Sequence, residues 1–191
     1  MNRNDALDIE LVNRSKAGDT LAFRDLVNVY KDVSLTLACS ILKDNILAED
    51  AVQTAFIKVF EKLKTFKQDS KFSTWLYRIV INTAYNLLKQ QKNHKQIDIL
   101  SDSIFECEEK SGAKILAEFE QKKYIDLALN RIKSDEALIL RLFYLYEHTI
   151  LEIKEITGFS KSKIKVDLHR GRKNMEQQLQ KMLGNEIIQL L

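Results

Sequence analysis

The absence of proline is the feature that most constrains the fold of this chain. None of its 191 residues is proline and only five are glycine, so the two residues that most often interrupt helices are almost missing. Apolar residues make up 45% of the sequence, as in an ordinary globular protein. We therefore predict an all-α protein whose length suits one or two small domains.

Apolar residues repeat at intervals of three and four along two blocks of the sequence. The first block predicts four helices within residues 1–95, and the second predicts a further set within residues 121–191. Between them, residues 96–120 carry seven acidic residues against two lysines, which is typical of a flexible, solvated linker. The same segment is compatible with an acidic strand of chain lying in a basic channel of a partner. We predict two small helical domains joined by this flexible acidic linker.

The residues that would mark an enzyme, a metal site or a membrane protein are missing from the sequence. Cys39 and Cys107 fall in no metal-ligand spacing and form no disulfide framework. The three histidines lie apart from suitable partners, and neither a nucleophile–base pair nor a phosphate-binding loop occurs. The polar first ten residues differ from a signal peptide, and no apolar run reaches the roughly 20 residues of a membrane span. We predict a cytoplasmic protein without membrane insertion, cofactor, metal or enzymatic activity.

The C-terminal block contains a predicted helix-turn-helix over residues 150–173. Gly158 allows the sharp turn between the two helices, and Ser160 can cap the second helix. The first helix is predicted to pack through three apolar residues, Leu151, Ile153 and Ile156.

The second helix of this motif is strongly basic. Its predicted inward residues are Ile164 and Leu168, and a lone Asp167 lies among the cations on the outside. Such a helix suits the major groove, where cations near its start reach base edges and later ones hold phosphates. The alternative is a basic, solvated helix of an ordinary bundle. The predicted duplex-binding residues are Ser160, Lys161, Lys163, Lys165, Arg170, Arg172 and Lys173.

A second candidate nucleic-acid surface lies in the N-terminal block, on a helix predicted from about residue 71 to Asn93. Five of its residues fall in one sector of a helical wheel, and a face that mixes Tyr, Asn, Arg and Lys can stack unpaired bases and hold their phosphates. Trp75 lies at the border between this sector and the core and suits either. The alternative for the sector is ordinary surface. Its residues are Arg78, Asn82, Tyr85, Asn86 and Lys89, and the preceding turn adds Lys64, Lys67 and Lys71.

A third candidate surface is acidic and lies one helix earlier. Glu49, Asp50 and Gln53 stand near the predicted start of that helix, followed by Phe56. Carboxylates favour a helix N-terminus by themselves, so the pattern alone leaves a structural role and a docking role open.

Taken in order, these segments resemble the extracytoplasmic-function group of bacterial sigma factors. Ala48–Gln53 with Phe56 is similar to the docking motif of sigma region 2, and Phe72–Ile79 with Asn82 is similar to its promoter-melting helix. Gly18-Asp19 and Ala22-Phe23 match the opening of region 2. The resemblance extends to the region 4 helix-turn-helix through Glu152-Ile153, Gly158-Phe159-Ser160, Ile164 and His169-Arg170.

The resemblance implies a role for each candidate surface. Glu49, Asp50, Gln53 and Phe56 would dock on the clamp helices of the largest subunit of RNA polymerase. The resemblance also implies a contact between the chain and the polymerase flap. The turn over residues 62–71 would capture a base flipped out of the minus-ten element, and the face from Trp75 to Lys89 would contact the melted strand. The helix after Ser160 would read the minus-thirty-five element as duplex. An anti-sigma factor is implied as a further partner.

Three rival functions remain open at the level of the sequence. A stand-alone helix-turn-helix regulator explains residues 121–191 equally well, but leaves the acidic motif and the Trp75–Lys89 face without a role. An adaptor that binds polymerase without DNA is opposed by the basic helix. An enzyme is the weakest rival, because the residue groups of catalysis are missing.

Overall fold

A computed structural model describes residues 3–94 and 116–183, and all regular structure in these two ranges is helical. The described helices fall into two compact units, which confirms the predicted all-α class with two small domains. Most of the predicted linker lies outside the described residues, and α5 begins within it. The first unit contains α1 (Arg3–Lys16), α2 (Thr20–Leu42), α3 (Asn45–Lys62) and α4 (Phe72–His94); the remaining helices are α5 (Leu116–Arg131), α6 (Ser134–Leu140), α7 (Ile150–Thr157) and α8 (Lys161–Leu183).

The core of the first unit lies between α2, α3 and α4, which pack on one another, with α1 against α2. Its largest fully buried side chains include Leu26, Leu37 and Ile41 of α2 and Leu76 and Ile81 of α4. Burial of each such side chain contributes about 1.5–3 kcal/mol. The apolar interior therefore fixes which face of α3 and which face of α4 are left to solvent.

Polar caps define where the helices of the first unit begin. The Asp19 carboxylate accepts hydrogen bonds from the backbone N–H groups of Leu21 and Ala22 at 3.0 and 3.1 Å, as an N-cap does. Arg14 donates to the same carboxylate at 2.8 Å. The hydrogen bond from Arg14, followed by that from Ala22, holds the pKa of Asp19 below its ordinary value. After α2 the chain reverses through Lys43, whose φ of 54° is left-handed.

The second unit is built around α6, which packs against α5 and α8. Leu138, Ile139 and Leu142 are fully buried. Two charged side chains are buried with partners: Arg141 donates to Asp126 at 2.7 Å, and Glu136 accepts from Asn174 at 2.6 Å. These pairs tie α5 to the turn after α6 (Arg141–Leu145), and α6 to α8.

Two positions in the helix-turn-helix differ from the predicted pattern. Ile153 and Ile156 of α7 are fully buried, but Leu151 is 56% exposed, because it lies about 200° from Ile153 around a helix. Asp167 of α8 is buried rather than outward. It lies on the same side of the helix as the buried Ile164 and Leu168, and Lys163, one turn earlier, compensates its charge.

Within the two described ranges, no helix combines the length and the apolar character needed to cross a bilayer.

Candidate polymerase and nucleic-acid interfaces

The acidic motif lies on the solvent side of α3. Glu49, Asp50 and Gln53 are exposed, whereas Phe56 is 9% exposed and belongs to the core. The inner side of the helix is closed by Ala51 and Ala55, which are fully buried. The structure therefore presents the two carboxylates and the amide together, with Phe56 beneath them as support.

Three large apolar side chains, which the sequence interpretation missed, share this outer face of α3. Ile46, Ile57 and Phe60 are 75%, 61% and 55% exposed, and they lie within the same wheel sector as Asp50 and Gln53. The ring of Phe60 rests edge-on against Phe23 of α2, with 5.0 Å between centroids. The signal in the sequence was the seven-residue spacing of positions 46, 53 and 60, which continues an apolar-and-amide stripe outside the core. We call the six residues of this face the α3 stripe: Ile46, Glu49, Asp50, Gln53, Ile57 and Phe60.

The predicted polar sector of α4 is also outward. Arg78, Asn82, Asn86 and Lys89 are exposed, and Tyr85 is half-buried among them. The opposite sides of the helix are closed by buried residues of the core. The α4 face therefore has one cation at each end, with amides and one aromatic ring between them. This combination can stack the bases of a single strand and hold its phosphates.

An aromatic cluster joins this face to the turn before α4. Trp75 is half-buried and stacks on Phe66, with 4.9 Å between ring centroids and 28° between the planes. Phe66 and Phe72 are buried and lie edge to face at 5.8 Å. Trp75 is thus held by core aromatics while part of it stays accessible. The lysines of this turn, Lys64, Lys67 and Lys71, are exposed.

The segment from the start of α7 to the start of α8 has the local geometry of a helix-turn-helix. Thr149 and Glu152 form a reciprocal capping box, in which the Thr149 N–H donates to Glu152 at 2.8 Å and the Glu152 N–H donates to Thr149 at 3.2 Å. Gly158 has a φ of 74°, a backbone conformation that residues other than glycine rarely adopt. Ser160 accepts from the Lys163 N–H at 3.1 Å, which confirms the predicted cap.

Most of the predicted cations of α8 point outward. Lys161, Lys165, Arg170, Arg172 and Lys173 are exposed, as is Ser160. Arg172 also donates to the hydroxyl of Tyr144 at 3.0 Å. The outer half of α8 is therefore cationic from Lys161 to Lys173, as binding to a phosphate backbone requires.

Lys163 differs from the other cations because its ammonium is engaged within the protein. It lies 2.7 Å from Asp135 and 2.5 Å from Asp167, and 4.3 Å from the ring centroid of Phe159. Burial acts against its charged form, but the hydrogen bonds to Asp135 and Asp167 outweigh that effect and the pKa of Lys163 is raised. The structure therefore connects this lysine to α6 and to its own helix.

Three further residues share the outer half of α8 and were not among the predicted DNA contacts. Ser162 and His169 are exposed, and Val166 is 43% exposed. A hydroxyl, an imidazole and a branched apolar group are side chains that can contact base edges and the thymine methyl group. A full helical wheel would have found them; the sequence interpretation considered only the cations.

Comparison with known proteins matches both units to one family. The model of sigma-70 region 2 matches residues 26–94, and the model of sigma-70 region 4 matches residues 122–175. The matches cover the acidic motif and the α4 face as well as the helix-turn-helix, so the stand-alone regulator is not favoured.

Individual relatives agree with this assignment. The chain is 28% identical over 182 residues to the extracytoplasmic-function (ECF) sigma factor SigW of Bacillus subtilis, covering 88% of this chain and 94% of SigW. It is 47% identical over 81 residues to the RNA polymerase sigma-H factor of Pseudomonas aeruginosa, covering 42% of each protein. The sigma factor RpoE of Bartonella quintana, solved in complex with the anti-sigma factor NepR, shares the fold with a TM-score of 0.68 and 21% identity, over 83% of this chain and 96% of RpoE.

Both family regions occur in the expected order, on the two units that carry the candidate surfaces. A sigma factor acts by binding rather than by catalysis, and directs RNA polymerase to promoters. The chain belongs to the extracytoplasmic-function group of bacterial sigma factors.

Proposed function

We propose that this sigma factor divides its work between three segments. Residues 1–95 dock on core polymerase and open the minus-ten element, residues 96–120 form the linker, and residues 121–191 read the minus-thirty-five element. One observation supports this division above all. The α3 stripe and the α4 face are separate outward surfaces of one unit, whereas the cationic half of α8 lies in the other unit. The protein acts in the cytoplasm, where polymerase and promoter DNA meet.

The α3 stripe is proposed as the docking surface for the clamp helices of the largest polymerase subunit. Exposed apolar side chains flanked by carboxylates suit a partner helix with apolar and basic residues. Ile57 and Phe60 are 61% and 55% exposed, so burying the exposed part of each in such a contact supplies roughly 1–2 kcal/mol. The carboxylates of Glu49 and Asp50 then select the partner by charge.

The α4 face and the turn before it are proposed as the single-strand surface. Unpaired bases of the minus-ten element stack on Tyr85 and Trp75, and Arg78 and Lys89 hold phosphates. Extruding a base costs a few kcal/mol, and stacking returns about 1–3 kcal/mol per base. The free energy of strand opening therefore comes from contacts that exist only with melted DNA.

Replacing Asn82 and Asn86 together by alanine tests this surface. Each exposed amide is expected to contribute about 1 kcal/mol of hydrogen bonding to the strand. The double variant should therefore bind a promoter fragment with a single-stranded minus-ten element roughly thirtyfold more weakly, measured by fluorescence anisotropy of the polymerase complex. The matched control is Asn28→Ala, an exposed asparagine of α2, which should bind like the parent. Equal loss on a fully duplex minus-thirty-five fragment, or no loss at all, would contradict the assignment.

The outer half of α8 is proposed to lie in the major groove of the minus-thirty-five element. Its later cations, such as Arg170, hold phosphates and supply affinity that is blind to sequence and falls with salt. Lys165, nearer the start of the helix, reaches base edges. Ser162, Val166 and His169 add the base-edge contacts that confer sequence preference. The acidic linker, rich in Asp and Glu over residues 96–120, is proposed to run toward the active-site and RNA-exit channel of polymerase. A flap contact is proposed for the second unit.

We also propose that an anti-sigma factor binds this chain, since RpoE of Bartonella quintana has the same fold and was solved with one. A protein that co-purifies with the tagged chain from its host should, when added back, suppress transcription that depends on the chain at a one-to-one molar ratio. If the co-purifying protein leaves transcript yields unchanged, this partner proposal is wrong.

A further inference from the structure

Helix α1 is attached to the turn between α3 and α4 by side chains that no promoter contact requires. We infer that α1 holds this turn, residues 62–71, in the shape that selects the minus-ten base, with Asn13 and Lys16 as positioning residues. The inference rests on the proposed function of the turn in capturing that base. The inference adds that residues outside the turn determine which base of the minus-ten element the turn prefers.

The first attachment is made by Lys16, in the last turn of α1. Its ammonium donates a hydrogen bond to the backbone carbonyl of Phe66 and lies 5.6 Å from the centroid of the Phe66 ring. Phe66 is where the chain leaves the short 3-10 helix Leu63–Thr65 and becomes extended. A charged donor on this carbonyl therefore fixes the direction in which the turn departs.

The second attachment holds the most strained residue of the turn. Gln68 has a φ of 61°, a left-handed conformation that is uncommon and costly outside glycine. Its side-chain amide donates to the Asn13 side chain of α1 at 2.8 Å. A contact across 55 positions of sequence thus stabilises a backbone conformation that local sequence does not favour.

Close packing does not hold the turn against α1 along its whole length. A cavity of about 340 Å³ lies between them, lined by Asp8, Ile9 and Val12 of α1 and by residues of the turn from Phe66 to Phe72. The turn therefore has room to move when its two attachments are removed. The buried rings of Phe66 and Phe72 anchor the turn at two points, and the two hydrogen bonds to α1 set the path of the chain between them.

Helix α1 itself is firmly anchored, so it can serve as a fixed reference. Leu11 and Val12 are buried, and the buried Asp8 accepts a hydrogen bond from the hydroxyl of Tyr30 on α2. On the other side, Phe66 stacks on Trp75. A shift of Phe66 would consequently move the ring at the start of the α4 face as well as the turn.

The test is a promoter library with randomised minus-ten positions and a constant minus-thirty-five element, transcribed with core polymerase and each variant. Lys16→Met with Asn13→Ala removes both attachments while keeping the length of the lysine side chain. The matched control, Lys31→Met with Asn28→Ala, changes the same residue types at exposed positions of α2. We expect the attachment variant to change the relative yield from at least one minus-ten base by fivefold or more, with unchanged affinity for core polymerase.

Rescue separates positioning from folding. Lys16→Arg keeps a charged donor for the Phe66 carbonyl and should retain the parental preference, and Asn13→Ala alone should shift it partially. If the double variant lowers all transcripts uniformly and ranks the bases as the parent does, the inference is overturned and α1 is merely structural. If the parent itself shows no minus-ten preference, the failure lies in the proposed function of the turn, and the inference falls with it.

Discussion

A variant carrying Glu49→Lys and Asp50→Lys should fail to assemble with core RNA polymerase. Both side chains are exposed on the α3 stripe, so reversing them leaves the core of the first unit intact. Placing like charges against a partner costs several kcal/mol at an interface. We expect at least a hundredfold loss of affinity for core polymerase, which corresponds to about 2.7 kcal/mol, measured by titration with labelled protein at two salt concentrations.

The matched control for this variant is Glu10→Lys with Asp32→Lys, which reverses two exposed carboxylates on α1 and α2. It should bind core polymerase like the parent. Both variants should bind a minus-thirty-five duplex as the free parent does, because α8 is unchanged. Wild-type affinity of the Glu49/Asp50 variant, or an equal loss in the control, would remove α3 as the docking surface.

Replacing Lys165 and Arg170 by alanine should produce the second large loss, this time in DNA recognition. Both side chains are exposed on the outer half of α8. Each base-edge contact is worth about 1–3 kcal/mol, and removing a cation that binds a phosphate reduces the salt dependence of binding by about one unit. We expect the polymerase complex to bind the minus-thirty-five duplex roughly thirtyfold or more weakly, with a shallower salt slope, while its affinity for core polymerase stays the same.

Lys163→Gln is the contrasting variant, because the ammonium of Lys163 is already bound by Asp135 and Asp167. A raised pKa means that this ion pair stabilises the fold at neutral pH, below the ordinary lysine value, and that this stabilisation is lost as the pH rises through the raised value. The variant should therefore lower the Tm of the second unit by several degrees at neutral pH. Its minus-thirty-five affinity, measured well below that Tm, should stay within threefold of the parent. If Lys163→Gln loses as much DNA affinity as the Lys165/Arg170 variant without a change in Tm, Lys163 contacts DNA directly.

The sequence predicts local structure well in this chain because apolar periodicity and capping residues mark where its helices lie and begin. Ser160 caps the helix for which it was proposed, and Gly158 adopts the expected left-handed turn. The polar sector of α4 also faces outward as predicted. A helical wheel can locate such a sector from the sequence of a single helix once the apolar side of that helix is known.

What the sequence did not reveal depends on contacts between distant segments. The engagement of Lys163 with Asp135 was not foreseen, because Asp135 lies on α6 and no helical wheel of α8 contains it. The bonds from α1 to the turn span 50 and 55 positions, too far for any local pattern. Ile57 and Phe60 were given no role from the sequence, because apolar residues on a helix are usually buried, and only the packed unit shows them exposed.

The most direct measurement is run-off transcription by purified core polymerase on fragments of the chain's own genome, with and without the chain. We expect discrete new transcripts only when the chain is present, with two shared elements upstream of their start sites. Transcripts should disappear with the Glu49/Asp50 variant and weaken with the Lys165/Arg170 variant. An unchanged set of transcripts, together with no co-migration of the chain with core polymerase, would contradict its action as a sigma factor.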